Sequence, residues 1–171
     1  MSANYKLTTE GGLKKGAEPM EIVTRFERIP TRIAETAEEG AIRVADEMAA
    51  TIRAKAAAGE NCVLALTAGK SPIGVYRELV RKHKSEGLSF KNVVIFTLFE
   101  FYPIAADEQQ SYTYSLYEEL INQVDIPAAQ VHTLDGTVAA ERVSEYCKEY
   151  EAAIQAAGGI DILLLGMGDQ G

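Results

Sequence analysis

Four short apolar runs punctuate the chain, and the segments between them are long enough to be crossover helices. The runs are CVLAL (62–66), VVIFTL (93–98), VHTL (131–134) and IDILLL (160–165). A continuous apolar run of this length fits a strand covered on both faces, where neither row of side chains meets water. The intervening segments repeat their apolar residues at three- and four-residue steps, the period of a helix with one buried side. Strands alternating with helices require parallel pairing, because a parallel neighbour is reached only through a crossover. The fold class expected is therefore α/β: a doubly wound, mostly parallel sheet with helices on both faces.

Helix boundaries follow from local chemistry. A first helix is predicted from about Glu35 to Ala58, with Ile42, Ala45, Met48, Ala49 and Ile52 inward and Gly59 at its end. Ser71-Pro72 predicts a second start, with Ser as cap and Pro at the first helical position. Ile73, Tyr76, Leu79 and Val80 form its stripe up to about Gly87. Two more helices are expected from Ser111 to Ile121 and from Glu141 to Ala157. Residues 1–30 are polar and without period, and read as an N-terminal arm ahead of a domain at 31–171. The run at 160–165 is apolar enough to be an interior strand with a covering helix after it, yet six residues follow. The expectation is a domain truncated after a central strand, with a missing C-terminal segment or a homo-oligomer covering the adhesive edge.

Charge limits the partners. The formal net charge is −8 with the cations dispersed, which argues against a nucleic-acid footprint. The densest basic group, Arg77, Arg81, Lys82 and Lys84, reads as the solvated face of a helix. No apolar stretch approaches the ~20 residues of a membrane span, and the N-terminus has no secretory signature. Cys62 and Cys147 are expected to be reduced, and His83 and His132 to be core or solvated residues. These features together predict a cytoplasmic protein without membrane contact.

In such sheets ligands lie beyond the carboxyl ends of the strands. That directs attention to TAGKSP (67–72), FEFYPI (99–104) and GMGDQG (166–171). TAGKSP joins a buried strand to a helix start, so unpaired N–H groups and the positive end of the helix dipole face its concavity. Gly69 permits close backbone approach, Ser71 adds a hydroxyl and Lys70 a charge; an ordinary turn without ligand is the alternative. A nucleoside-triphosphate loop would need glycine where Leu64 stands. GMGDQG satisfies G-x-G-x-x-G, but no helix or acidic partner follows, and it reads as a glycine-rich turn lining a pocket.

Three stretches in order, LALTAGKSPIGVYRELVRKHKSEGLSFKNVVIFTL, FEFYPIAADEQQSYTYSLYEEL and GGIDILLLGMGDQG, resemble the glucosamine-6-phosphate deaminase family. The likeness runs from about Pro30 to Gly171 and includes GLSFKNVV and VDIP followed four residues later by VH. It implies a Rossmann-like fold of the sugar-phosphate isomerase type and a small-molecule sugar phosphate as partner. The implied reaction is aldose–ketose isomerisation with ammonia release, from glucosamine 6-phosphate to fructose 6-phosphate, with no cofactor and no metal. Ala68, Gly69, Lys70, Ser71, Gly166 and Gly168 fall on the family's phosphate- and substrate-binding positions. The related 6-phosphogluconolactonases share the fold and leave a hydrolase as a lesser alternative.

The chemistry breaks where the fold does not. The family pattern NLDEYY reads TLFEFY here, so Phe99 occupies the position of the base, and a phenyl ring accepts no proton. Glu100 is a weak substitute, since neighbouring side chains on extended backbone point to opposite faces. Thr97, Phe101, Thr113 and Ala68 also depart from the pattern, and Gln170 stands at a family Asp position. The family's catalytic His and Glu would lie beyond Gly171. The expectation is an inactive deaminase-like chain; a non-catalytic sugar-phosphate-binding or regulatory module is the alternative.

Overall fold

The computed structural model describes residues 30–166. The arm lies outside the described residues, as do residues 167–171, Gly168 and Gln170 among them. The chain divides into two units, Met1–Ala34 and Glu35–Gly171, and the fold below is that of the second.

Helix α1 spans Ala37–Ala57. Its start is fixed by Thr36, whose hydroxyl accepts from Glu39 N at 3.1 Å, with Glu38 and Glu39 at the positive end of the dipole. Ala45, Met48, Ala49 and Ile52 are buried as the periodicity predicts, whereas Ile42 is 39% exposed, so the inward stripe starts one turn later. Helix α2 spans Ile73–Glu86 and ends at Gly87 in the left-handed region (φ 66°). Helix α3 covers Tyr112–Glu119 and α4 covers Val143–Ala156.

Strands β1 (Cys62–Leu66), β2 (Val93–Thr97), β3 (Val131–His132) and β4 (Ile162–Leu163) form one parallel sheet in the order β3-β2-β1-β4. Every residue of β1 and β2 is buried, and alternation splits them between two cores. Cys62, Leu64, Leu66, Val93 and Ile95 pack with Met48, Ile52, Tyr76, Leu79 and Leu116 from α1, α2 and α3. Val63, Val94 and Phe96 pack against Tyr150, Ala153 and Ile154 of α4. Helices therefore cover both faces, as a doubly wound sheet requires. Burial pushes the Cys62 thiol up to about 11, leaving an inert core residue, while Cys147 is exposed and also free.

Two predicted strands come out shorter than their apolar runs. After β3 the amide of Leu134 donates to the Thr97 hydroxyl at 2.9 Å, so a side chain takes over from the ladder. The last run was expected to leave an uncovered edge, and β4 pairs only with β1, so among the described residues it is an edge, with Leu163 50% and Leu165 56% exposed. The basic group on α2 is also not a solvated face throughout. Lys82 is buried between helices with its ammonium 2.5 Å from Asp46, and Arg81 and Arg77 pair with Glu78 and Glu119. Among the described residues no helix is long and apolar enough to cross a membrane.

Carboxylates tie the loops to this frame. Asp125 accepts from Phe90 N at 2.6 Å and from Ser89 Oγ at 2.8 Å, which joins the approach to β2 to the approach to β3. Asp161 accepts from Val63 N and from Lys55, each at 2.9 Å, pinning the entry of β4 to β1 and α1; the lysine holds its carboxyl below the usual range. Gly136 is wedged against residues 101–104, where a Cβ would come within 2.6 Å of the Phe101 and Ile104 carbonyl oxygens. Gly136→Ala should therefore lower unfolding stability by about 1–3 kcal/mol, measured by urea denaturation; an unchanged midpoint would show that the loop yields without cost.

Candidate functional site

The chain leaves β1 toward β2 and β3, then returns to the opposite side of β1 as β4. The reversal lies between β1 and β4, where loops diverge at the carboxyl ends and leave a crevice. One wall is the segment 67–72, running from β1 into α2. Gly69 adopts φ 118°, a conformation L side chains rarely take, so this bend depends on glycine. Tyr76, buried in α2, donates its hydroxyl to the Thr67 carbonyl and braces the segment from below. Burial pushes that phenol up, so it remains a donor.

Pro72 already has helical dihedrals (φ −79°, ψ −11°) and its carbonyl accepts from Tyr76 N, while the regular helix begins at Ile73. The first amides of α2 have no acceptor within the helix and open toward the segment. Ser71 was expected to cap them with its side chain. It makes no such bond among the described residues, and its hydroxyl is exposed. Lys70 is exposed beside it. Gly166 forms the facing wall: a Cβ there would lie 3.6 Å from Ser71 Cβ and 3.8 Å from its Oγ. A groove of about 210 Å³ continues between the first turns of α1 and α2 and Leu164–Leu165, with Ser71 the one polar side chain among the described residues that line it.

The neighbouring rim follows β2. Leu98 N donates to Leu66 O at 3.0 Å, extending the pairing one residue past the strand. Phe99 comes next and is 53% exposed. Glu100 turns toward α3, where its carboxylate accepts from Ser111 Oγ (2.8 Å), Tyr112 N (3.0 Å), Thr113 N (3.0 Å) and Phe101 N (2.9 Å). Burial opposes its charge, but the bonds from Thr113, Tyr112, Ser111 and Phe101 outweigh this and hold the carboxyl below its ordinary range. Four donors fill the acceptor sites of a carboxylate. Glu100 is thus an ionised helix cap, and taking a substrate proton would require it to abandon α3. Thr113, at a second departure from the family pattern, is buried with its hydroxyl unpartnered among the described residues.

The structure therefore gathers Ala68, Gly69, Lys70, Ser71 and Gly166 around one crevice, and places Phe99 and Glu100 on the adjoining rim with Glu100 turned away. Sequence reasoning missed Tyr76 as a brace, because its place in an apolar stripe explains it without the hydroxyl. It missed Ser111 and the amides of α3 as the partners of Glu100, which lie 11 to 13 residues away.

Comparison with known proteins agrees with this geometry. The family described as glucosamine-6-phosphate isomerases/6-phosphogluconolactonase matches residues 35–171. A glucosamine-6-phosphate deaminase-like protein of Bacteroides thetaiotaomicron is 51% identical over 150 residues, 88% of this chain and 23% of that protein. Glucosamine-6-phosphate deaminase of Corynebacterium urealyticum is 45% identical over 126 residues, 73% of this chain and 47% of that enzyme. A solved monomeric glucosamine-6-phosphate deaminase superposes with a TM-score of 0.72 at 31% identity, covering 79% of this chain and 54% of its own. The chain thus spans half or less of the length of the curated relatives named here.

Glu100→Gln should cost about 1–2 kcal/mol of stability at neutral pH, as expected for a charged cap replaced by an amide. Because the folded carboxyl titrates below its unfolded value, the stabilisation is present above the ordinary carboxylate range and lost as pH falls through the folded value. Urea denaturation of both proteins at pH 7 and pH 3 should show the gap closing in acid. A gap independent of pH would mean that the charge contributes nothing.

Proposed function

The chain belongs to the glucosamine-6-phosphate isomerase/6-phosphogluconolactonase family, and from that premise we propose that it binds a sugar phosphate at the β1–β4 crevice without completing deaminase chemistry. One observation carries the reading: a glycine-dependent bend at Gly69 leads into the amino end of a 14-residue helix, with the exposed hydroxyl of Ser71 beside it. Such an arrangement holds a phosphate mainly through backbone amides and the helix dipole, and asks little of net charge. It suits an acidic chain. Lys70 adds a local cation, and Gly166 leaves space on the facing wall.

The absence of turnover is inferred from the adjoining rim. Proton transfer between neighbouring sugar carbons needs a basic group within hydrogen-bond reach. Phe99 offers none, and the carboxylate next to it is saturated by α3. A second reading rests on the names of the relatives: the same cradle serving deamination of glucosamine 6-phosphate in a longer protein, whose further residues supply the missing groups. A lactone-hydrolase reading draws only on structural neighbours.

A thermal-shift titration with glucosamine 6-phosphate tests the binding, with glucosamine and inorganic phosphate as controls. The expected result is a saturable rise with the sugar phosphate, corresponding to about 2.7 kcal/mol at a hundredfold excess over Kd. Gly69→Val, which cannot adopt the bend without strain, should abolish it. No shift at millimolar ligand removes the binding reading, and catalytic ammonia release from the unaltered chain would overturn the claim that chemistry is incomplete.

A further inference from the structure

The segment that carries Phe99 is held on all sides, yet the ring itself is free. Glu100 fixes the backbone with four hydrogen bonds, Tyr102 donates its hydroxyl to Val138 O at 2.9 Å, and Ile104 N donates to Gly136 O at 3.0 Å. Gly136 closes against the same segment too tightly to admit a methyl group. Phe101 rests on Tyr112 with ring centroids 4.7 Å apart. Among the described residues no aromatic ring packs against Phe99, and it belongs to neither core. Phe99 (53% exposed) stands with Phe101 (51%) and Tyr102 (56%) in one exposed aromatic run, and a contiguous apolar patch marks a contact surface.

Its location specifies the contact. Leu66 pairs with Thr97 in the β1–β2 ladder, so the segment bearing Gly69 and the segment bearing Phe99 leave the sheet side by side. Neighbouring strands are about 4.8 Å apart. A molecule whose anionic end sits at Gly69–Ser71 has the β4 wall on one side and the rim bearing Phe99 on the other. Ligand sites commonly join an apolar wall to a few placed polar groups, and the cradle with Phe99 supplies both.

We propose that Phe99 is a specificity-determining platform that recognises the closed ring of a hexose 6-phosphate by stacking on its face of C–H groups. The proposal rests on the sugar-phosphate reading above and adds to it a choice between forms of the same sugar. A pyranose presents several C–H bonds in one rigid, nearly flat array, which matches the electron-rich face of a phenyl ring. An open chain carries the same atoms without a fixed face, and ordering it costs rotational freedom. The position where isomerisation of the open chain would need a proton acceptor thus favours the closed sugar.

Isothermal titration calorimetry of the chain with three probes decides the matter: 1,5-anhydroglucitol 6-phosphate, which cannot open; glucitol 6-phosphate, which has no ring; and inorganic phosphate. The closed-ring probe should bind about three- to tenfold tighter than the open one, the range expected of one aromatic contact. Phe99→Ala should erase that preference while leaving inorganic phosphate unchanged, and Phe99→Tyr should retain it. Equal affinities for the two hexitol phosphates, or a loss in Phe99→Ala shared equally by all three probes, would overturn the platform while leaving the cradle standing. If none of the three binds, both the platform and the sugar-phosphate reading fail.

Discussion

Everything in this domain is arranged around a strand with no exposed side. β1 is paired on both edges and covered on both faces, so each of its five residues must be apolar and each backbone group must find a neighbour in the sheet. That double burial places α1 and α2 on one face and α4 on the other. It also fixes the point at which the chain emerges into solvent. The segment 67–72 cannot wander, because its first residue is anchored by the most constrained strand and its last enters a helix packed on the same core. A loop of only six residues gains its precision from this frame.

The contrast between Phe99 and Glu100 shows how a pocket can change character without disturbing its support. Glu100 anchors the start of α3 through the Ser111 hydroxyl and two amides, so its loss would propagate into the helix. Phe99 is 53% exposed and belongs to neither core among the described residues. One position is held by folding and the other is not. Thr97 belongs with Glu100 in this respect: its hydroxyl and carbonyl engage Leu134 and Tyr150, at the junction of three elements.

Most of this frame was legible in the sequence because burial on two faces leaves a plain signature. CVLAL and VVIFTL are unbroken apolar runs, and the helices between them keep a clear period. The glycine at 69 and the Ser-Pro pair marked the loop because few residues tolerate those conformations. What could not be read was the destination of polar side chains. Nothing local distinguishes Lys82, buried against Asp46, from Arg77 on the same helix, nor shows that Ser71 leaves the helix amides uncapped. The extent of β4 was misjudged for a related reason. An apolar run reports what a strand could cover, while its ladder depends on what lies alongside.

The Asp161–Val63 hydrogen bond joins residues 98 positions apart. Closing a loop of that length carries a somewhat larger entropic cost than closing the shorter β1–β2 crossover. On a ribosome, which delivers chain at roughly 5–20 residues per second, α1, β1, α2 and β2 are all synthesised before Gly166 exists. The crevice is therefore completed only after those elements exist. Its first wall waits, already bent at Gly69, for a partner that arrives only when β4 has been made and drawn against β1. The two walls thus come from segments far apart in sequence that meet only through the pairing of β1 with β4.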